Sequence, residues 1–181
     1  MKDGGLQRFT RTALMAAIIF VVTYIIRIPL PFASGGYLNI GDAPIYLSAY
    51  LLGGPAGAIA GAIGAAASDL AAGYVFYVAP TAAIKGVMGF VCGSLMSGGP
   101  IKSDSLGVVG PARKGGTKRF VLASALGGAI MVGGYAVFEA IFFNINQALA
   151  AIPFNCIQWA GGVAAAAALF PVARAIEKTL R

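Results

Sequence analysis

Four ionisable side chains, Asp42, Asp69, Lys85 and Glu139, stand inside otherwise apolar stretches of this sequence. At membrane depth such a group costs about 2.5–3.5 kcal/mol on insertion scales, so each calls for a partner or a task. At about 1.5 Å rise per helical residue, Asp69 and Lys85 fall at similar depth, and the spacing predicts an ion pair that stitches two helices. Glu139 has no evident partner except Lys85 or a ligand. Polar uncharged residues gather at the same level: Asn39, Asn144, Asn146 and Gln147 fall in outer loops, while Asn155, Gln158 and the only tryptophan, Trp159, belong to the last apolar segment. Asn155 and Trp159 are four apart and share a helix face, with Gln158 beside them. Amides next to an indole make a site for a flat, hydrogen-bonding ring. An interfacial aromatic belt is the other reading, and Tyr37, Tyr46, Tyr74 and Tyr77 fit it as well.

Absences narrow the chemistry. There is no histidine to serve as a general base or metal ligand, no GxxxxGK[ST] phosphate loop and no acidic cluster. Cys92 and Cys156 lie in apolar segments without a CxxC partner and read as small core residues. Neither an enzyme nor a bound metal or resident cofactor is expected.

The elements that must position these residues are membrane helices. Hydrophobic side chains make up 59% of the 181 residues and charged ones 10%, against about one-quarter charged in a soluble domain. The net charge of +7 is not interleaved with aromatics along one stripe, so nucleic acid does not explain it. A span needs about 20 apolar residues, and six windows present themselves: about Phe9 to Ile28, Asp42 to Gly53-Gly54, Pro55 to Ala72, Ala79 to Met96, Phe120 to Phe143, and Ile152 to Ile176. The second is short. Prolines 55, 80 and 153 fall where first helical turns are expected. The basic start followed by an apolar run resembles a signal peptide, but its length and the Pro29-Leu30-Pro31 that follows predict a retained first helix.

With six crossings and the N-terminus inside, eleven of the thirteen Lys and Arg residues are cytoplasmic, all but Arg27 and Lys85. The expected fold is therefore an all-α membrane protein: a bundle of six transmembrane helices with both termini cytoplasmic. Residues 1–181 form one domain with a flexible cytoplasmic loop at about 98–118. All four buried ionisable groups then lie in the outer third, above an apolar inner half. A conducting path would need polar or small residues throughout, so the pattern predicts a pocket open to the outside rather than a pore. Small residues four apart, at Gly53, Gly57 and Gly61, at Gly89 and Gly93, and at Ala13 and Ala17, mark close helix contacts; for Ala13/Ala17 a partner protein competes with internal packing.

Several stretches carry a resemblance: Tyr37-Leu38-Asn39-Ile40-Gly41-Asp42-Ala43-Pro44, Leu52-Gly53-Gly54-Pro55-Ala56-Gly57-Ala58, Ala67-Ser68-Asp69-Leu70, Pro80-Thr81-Ala82-Ala83-Ile84-Lys85-Gly86 and Pro153-Phe154-Asn155-Cys156-Ile157-Gln158. Over nearly the whole chain the sequence resembles the substrate-binding S components of energy-coupling factor (ECF) vitamin transporters, closest to the branch serving riboflavin, hydroxymethylpyrimidine and pyridoxine. The resemblance implies a prokaryotic plasma-membrane protein that captures a small water-soluble vitamin or precursor from outside. It implies a scaffold transmembrane subunit and two ATPase subunits as partners, which would use the ATP, and Ala13 and Ala17 as the scaffold interface. It maps substrate binding onto Asn39, Lys85, Glu139, Asn155, Gln158 and Trp159. The alternative is a non-transporting membrane assembly or sensor protein, in which the polar cap merely packs.

Overall fold

The computed structural model describes residues 3–29, 37–97 and 116–179. Six α-helices occupy them: α1 (Asp3–Ile25), α2 (Asp42–Leu52), α3 (Gly54–Ala71), α4 (Val78–Ser97), α5 (Thr117–Phe142) and α6 (Ile145–Thr179). Four stretches, Gly5–Ile25 within α1, Val75–Ser97 containing α4, and α5 and α6 themselves, are long and apolar enough to cross a membrane. The protein is thus a multi-pass, helical membrane protein. Exposed Leu, Ile, Val and Phe side chains stud the helices, as expected where the surroundings are lipid rather than water. Residues 98–115 of the expected cytoplasmic loop lie outside the described residues.

An element the hydropathy reading did not anticipate joins α1 to α2. Strands β1 (Arg27–Pro29) and β2 (Tyr37–Asn39) pair antiparallel, with Arg27 opposite Asn39 and Ile28 opposite Leu38. Helix α1 ends at Ile25, three residues before the expected Ile28, and Pro29 falls in β1.

Helix α2 sits at the centre, touching every other helix of the bundle. Eight of its residues are buried, Asp42 and Tyr46 completely. Its composition is apolar all round, as a helix enclosed on every side must be. Gly53, at φ 84°, is the sole residue between α2 and α3, in a conformation side chains rarely adopt. The small residues of α3 and α4 then bring backbones into contact. A Cβ on Gly89 would stand 2.5 Å from the Gly57 carbonyl oxygen, and one on Gly61 would stand 2.9 Å from that of Lys85.

At the end where α2 stops, Tyr50, Phe120 and Phe170 stack with centroids 4.2–5.9 Å apart, and Tyr50 donates to Glu177 Oε2 at 2.7 Å. The polar residues cluster at the opposite end.

Helix α6 begins at Ile145, earlier than the expected Ile152. Asn144 explains the difference: its Oδ1 accepts the Gln147 N–H at 2.9 Å, an N-cap on a helix-forming run. Pro153 therefore lies inside the helix rather than in its first turn. Asn146 and Gln147 are helical rather than in a loop, and Asn155, Gln158 and Trp159 stand about three to four turns into α6.

Candidate functional site

A cavity with an empty volume of ≈ 640 Å³, its mouth included, opens among the ribbon, α1 and the polar ends of α2 to α6. Of the six residues expected to bind substrate, Asn39, Lys85, Glu139, Asn155 and Gln158 line it. Trp159 is not among the lining residues. It is half-buried, packed on the core and on Gly128, whose missing Cβ makes room for the indole. The site also takes in Tyr37, Tyr74 and Tyr77, which fitted an interfacial belt in the sequence, the ionisable Asp42 and Asp69, and Thr23, Thr81 and Tyr135, to which the sequence reading gave no role.

The floor is an ion pair, and it differs from the expected one. Lys85 Nζ, projecting from α4, closes on Asp42 Oδ1 at the start of α2, not on Asp69, and both side chains are almost wholly buried. Asp42 opens the central helix and so faces α4 directly. Asp69, at the far end of α3, lies under the ribbon and accepts the Tyr37 O–H at 2.5 Å. Burial, reinforced by the Asp69 carboxylate, pushes the Tyr37 phenol above its ordinary value, so it remains a donor at neutral pH.

Gln158 ties three elements together. Its Oε1 accepts the Asn39 backbone N–H at 3.1 Å, and its Nε2 lies 3.4 Å from Asp42 Oδ2. Asn39 is itself held by its side chain, whose Oδ1 accepts the Gly41 N–H at 2.8 Å. Gly41 packs so closely on Thr23 that no side chain fits there.

The wall formed by α4 and α5 is phenolic and acidic. Thr81 Oγ1 and the Tyr135 hydroxyl are 2.9 Å apart, and Lys85 Nζ sits 5.6 Å from the Tyr135 ring centroid. Tyr77 donates to Glu139 Oε1 at 3.2 Å. Glu139 Oε2 and Thr23 Oγ1 are buried without a hydrogen-bond partner among the described residues, and both residues line the cavity. Ala13 and Ala17 lie on the exposed face of α1, away from the cavity. No group of three or more His, Cys, Asp or Glu suited to a metal occurs among the described residues.

A helical membrane protein with a polar, aromatic-walled cavity and open hydrogen-bonding atoms is of the class that holds a small polar molecule at a membrane face. The chain matches the family described as ECF-type riboflavin transporter, S component, over residues 6–175, and it belongs to that family. It is therefore a vitamin-type transport component and not an enzyme. A protein of Pyrococcus woesei described as an uncharacterized protein in gap 3'region is 33% identical over 145 residues, covering 80% of this chain and 86% of its own. The thiamine precursor transporter HmpT of Lactococcus lactis subsp. cremoris (strain MG1363) is 26% identical over 179 residues, covering 99% of this chain and 93% of its own.

Proposed function

We propose that this chain is the substrate-binding membrane subunit of an ECF-type ABC importer in the plasma membrane. It captures a small water-soluble vitamin or precursor of the hydroxymethylpyrimidine, pyridoxine or riboflavin type from outside. The observation that carries the reading is the buried carboxyl oxygen of Glu139, without a partner among the described residues, on a residue that lines a polar cavity at one end of an apolar bundle. A buried polar atom left unpaired costs about 1–3 kcal/mol, which a ligand that pairs with it recovers. The HmpT likeness supports a precursor-type substrate.

In this reading all six helices cross the membrane and both ends are cytoplasmic, with the cavity facing out. Eleven of thirteen basic residues then lie inside. The eleven residues of α2 rise only about 16 Å, against roughly 30 Å of hydrocarbon. The cavity above Asp42 occupies depth that α2 leaves free. A scaffold subunit, meeting the exposed Ala13/Ala17 face, and two ATPase subunits supply the energy for release inside. No cofactor is held by this chain in that scheme.

The test is native mass spectrometry of the detergent-purified protein, followed by calorimetric titration with candidate vitamins. Co-purification or nanomolar binding of one of them is expected. A protein that arrives empty and binds none would sink the reading in favour of a membrane assembly or sensor role.

A further inference from the structure

Glu139 is buried to 4% exposure, yet only one of its two carboxyl oxygens is paired among the described residues. Oε1 takes the Tyr77 O–H, while Oε2 meets no donor among the described residues. The other two carboxyls of the cavity are engaged differently: Asp42 holds Lys85 and Gln158, and Asp69 accepts from Tyr37. Lys85 is therefore already matched, and a carboxylate-bearing ligand would find it so. What the described residues leave without a donor is Glu139 Oε2, and a ligand in the cavity can bring one.

Taking the cavity to be the substrate site as read above, we propose that its substrate is a single-ring amino-azine whose exocyclic amine and adjacent ring nitrogen face the Glu139 carboxyl. Two parallel hydrogen bonds then form across one shared proton. With the proton on the carboxyl, its O–H donates to the ring nitrogen while the other oxygen accepts from the amine. With the proton on the ring, both N–H groups donate to the carboxylate. Either arrangement balances, and Oε1 keeps a lone pair for Tyr77. With the proton on the carboxyl, a carbonyl ring or the imide edge of a flavin also forms both bonds. The amino ring is favoured through the other arrangement, in which its basic ring nitrogen takes the proton; there a carbonyl ring sets its oxygen against a carboxylate oxygen. A hydroxypyridine without the amine makes at most one of the two bonds. Tyr77 and Tyr135, with ring centroids 6.4 Å apart, add aromatic faces beside Glu139.

The test is calorimetric titration of the intact, detergent-purified protein with four probes: 4-amino-5-hydroxymethyl-2-methylpyrimidine, its 4-oxo counterpart, pyridoxine and riboflavin. The amino ring should bind at least about tenfold more tightly than the 4-oxo ring, because of the two it alone keeps both bonds when its ring nitrogen takes the proton. Glu139→Ala should shrink that ratio to about twofold or less. Riboflavin, pyridoxine or the 4-oxo ring binding as tightly as the amino ring would overturn the inference while leaving the cavity a substrate site. An undiminished ratio in Glu139→Ala would overturn it too. Binding of none of the four would remove the substrate-site reading itself. Should the variant fail to fold, the wild-type ratio alone decides.

Discussion

The backbone N–H of Asn39, at the end of the β1–β2 ribbon, donates to Gln158 Oε1 on α6, whose other amide atom reaches toward Asp42. One side chain thus links the cavity's covering segment, its far wall and its floor. Gln158→Leu should preserve side-chain volume while releasing the ribbon. Substrate affinity is expected to fall about tenfold to a hundredfold, chiefly through a faster off-rate, read by stopped-flow displacement. Gln158→Glu keeps the acceptor for Asn39 but sets a carboxyl against Asp42, and should bind still more weakly. Unchanged dissociation in both variants would show that the ribbon does not depend on this contact.

The Lys85–Asp42 pair gives a prediction about stability. Removing one partner leaves a buried charge without its counterion, a loss of about 3–5 kcal/mol. Lys85→Met and Asp42→Leu should each lower the unfolding midpoint in detergent sharply. The double variant should recover much of the loss, because two apolar groups of similar size replace the pair. Additive losses in the double variant would show that the two residues act separately.

The pair also marks the boundary of what the sequence discloses. Hydropathy located α2, α3, α4 and α5 closely, because burial in lipid and in protein both select apolar residues over whole turns. The short α2 was visible but not its central position, which only contacts with the other helices define. Depth was legible, so Asn39, Lys85, Glu139, Asn155 and Gln158 could be placed at one level. Azimuth was not: Asp42 and Asp69 are both near Lys85 in depth, and only packing decides which one it meets. For the same reason Trp159, next to Gln158 in sequence, turns toward Gly128. The early start of α6 was readable in principle, since Asn144 and Gln147 stand three apart as cap and first-turn residues.

Glycines on α3, α4 and α5 separate packing from composition. Gly89→Ala would drive a methyl into the Gly57 backbone, and Gly128→Ala would drive one into Trp159. Each should cost about 1–3 kcal/mol. Gly133→Ala meets nothing within 4 Å and should be neutral or stabilising by up to about 1 kcal/mol. Thermal unfolding in detergent checks all three, and equal midpoints across the set would contradict the close helix contacts.

Thr23 Oγ1 offers a last prediction, because it faces the cavity while buried and without a partner among the described residues. Thr23→Val keeps the shape and removes the unpaired hydroxyl, so the empty protein should be as stable as the parent or slightly more so. If the hydroxyl serves only the ligand, the cost surfaces on binding: affinity should fall about threefold to tenfold, the loss of one neutral hydrogen bond. The empty and ligand-saturated midpoints, measured side by side, separate these effects. A variant that loses stability when empty would mean that Thr23 supports the α1–Gly41 contact rather than the substrate, and the hydroxyl would then leave the list of binding groups.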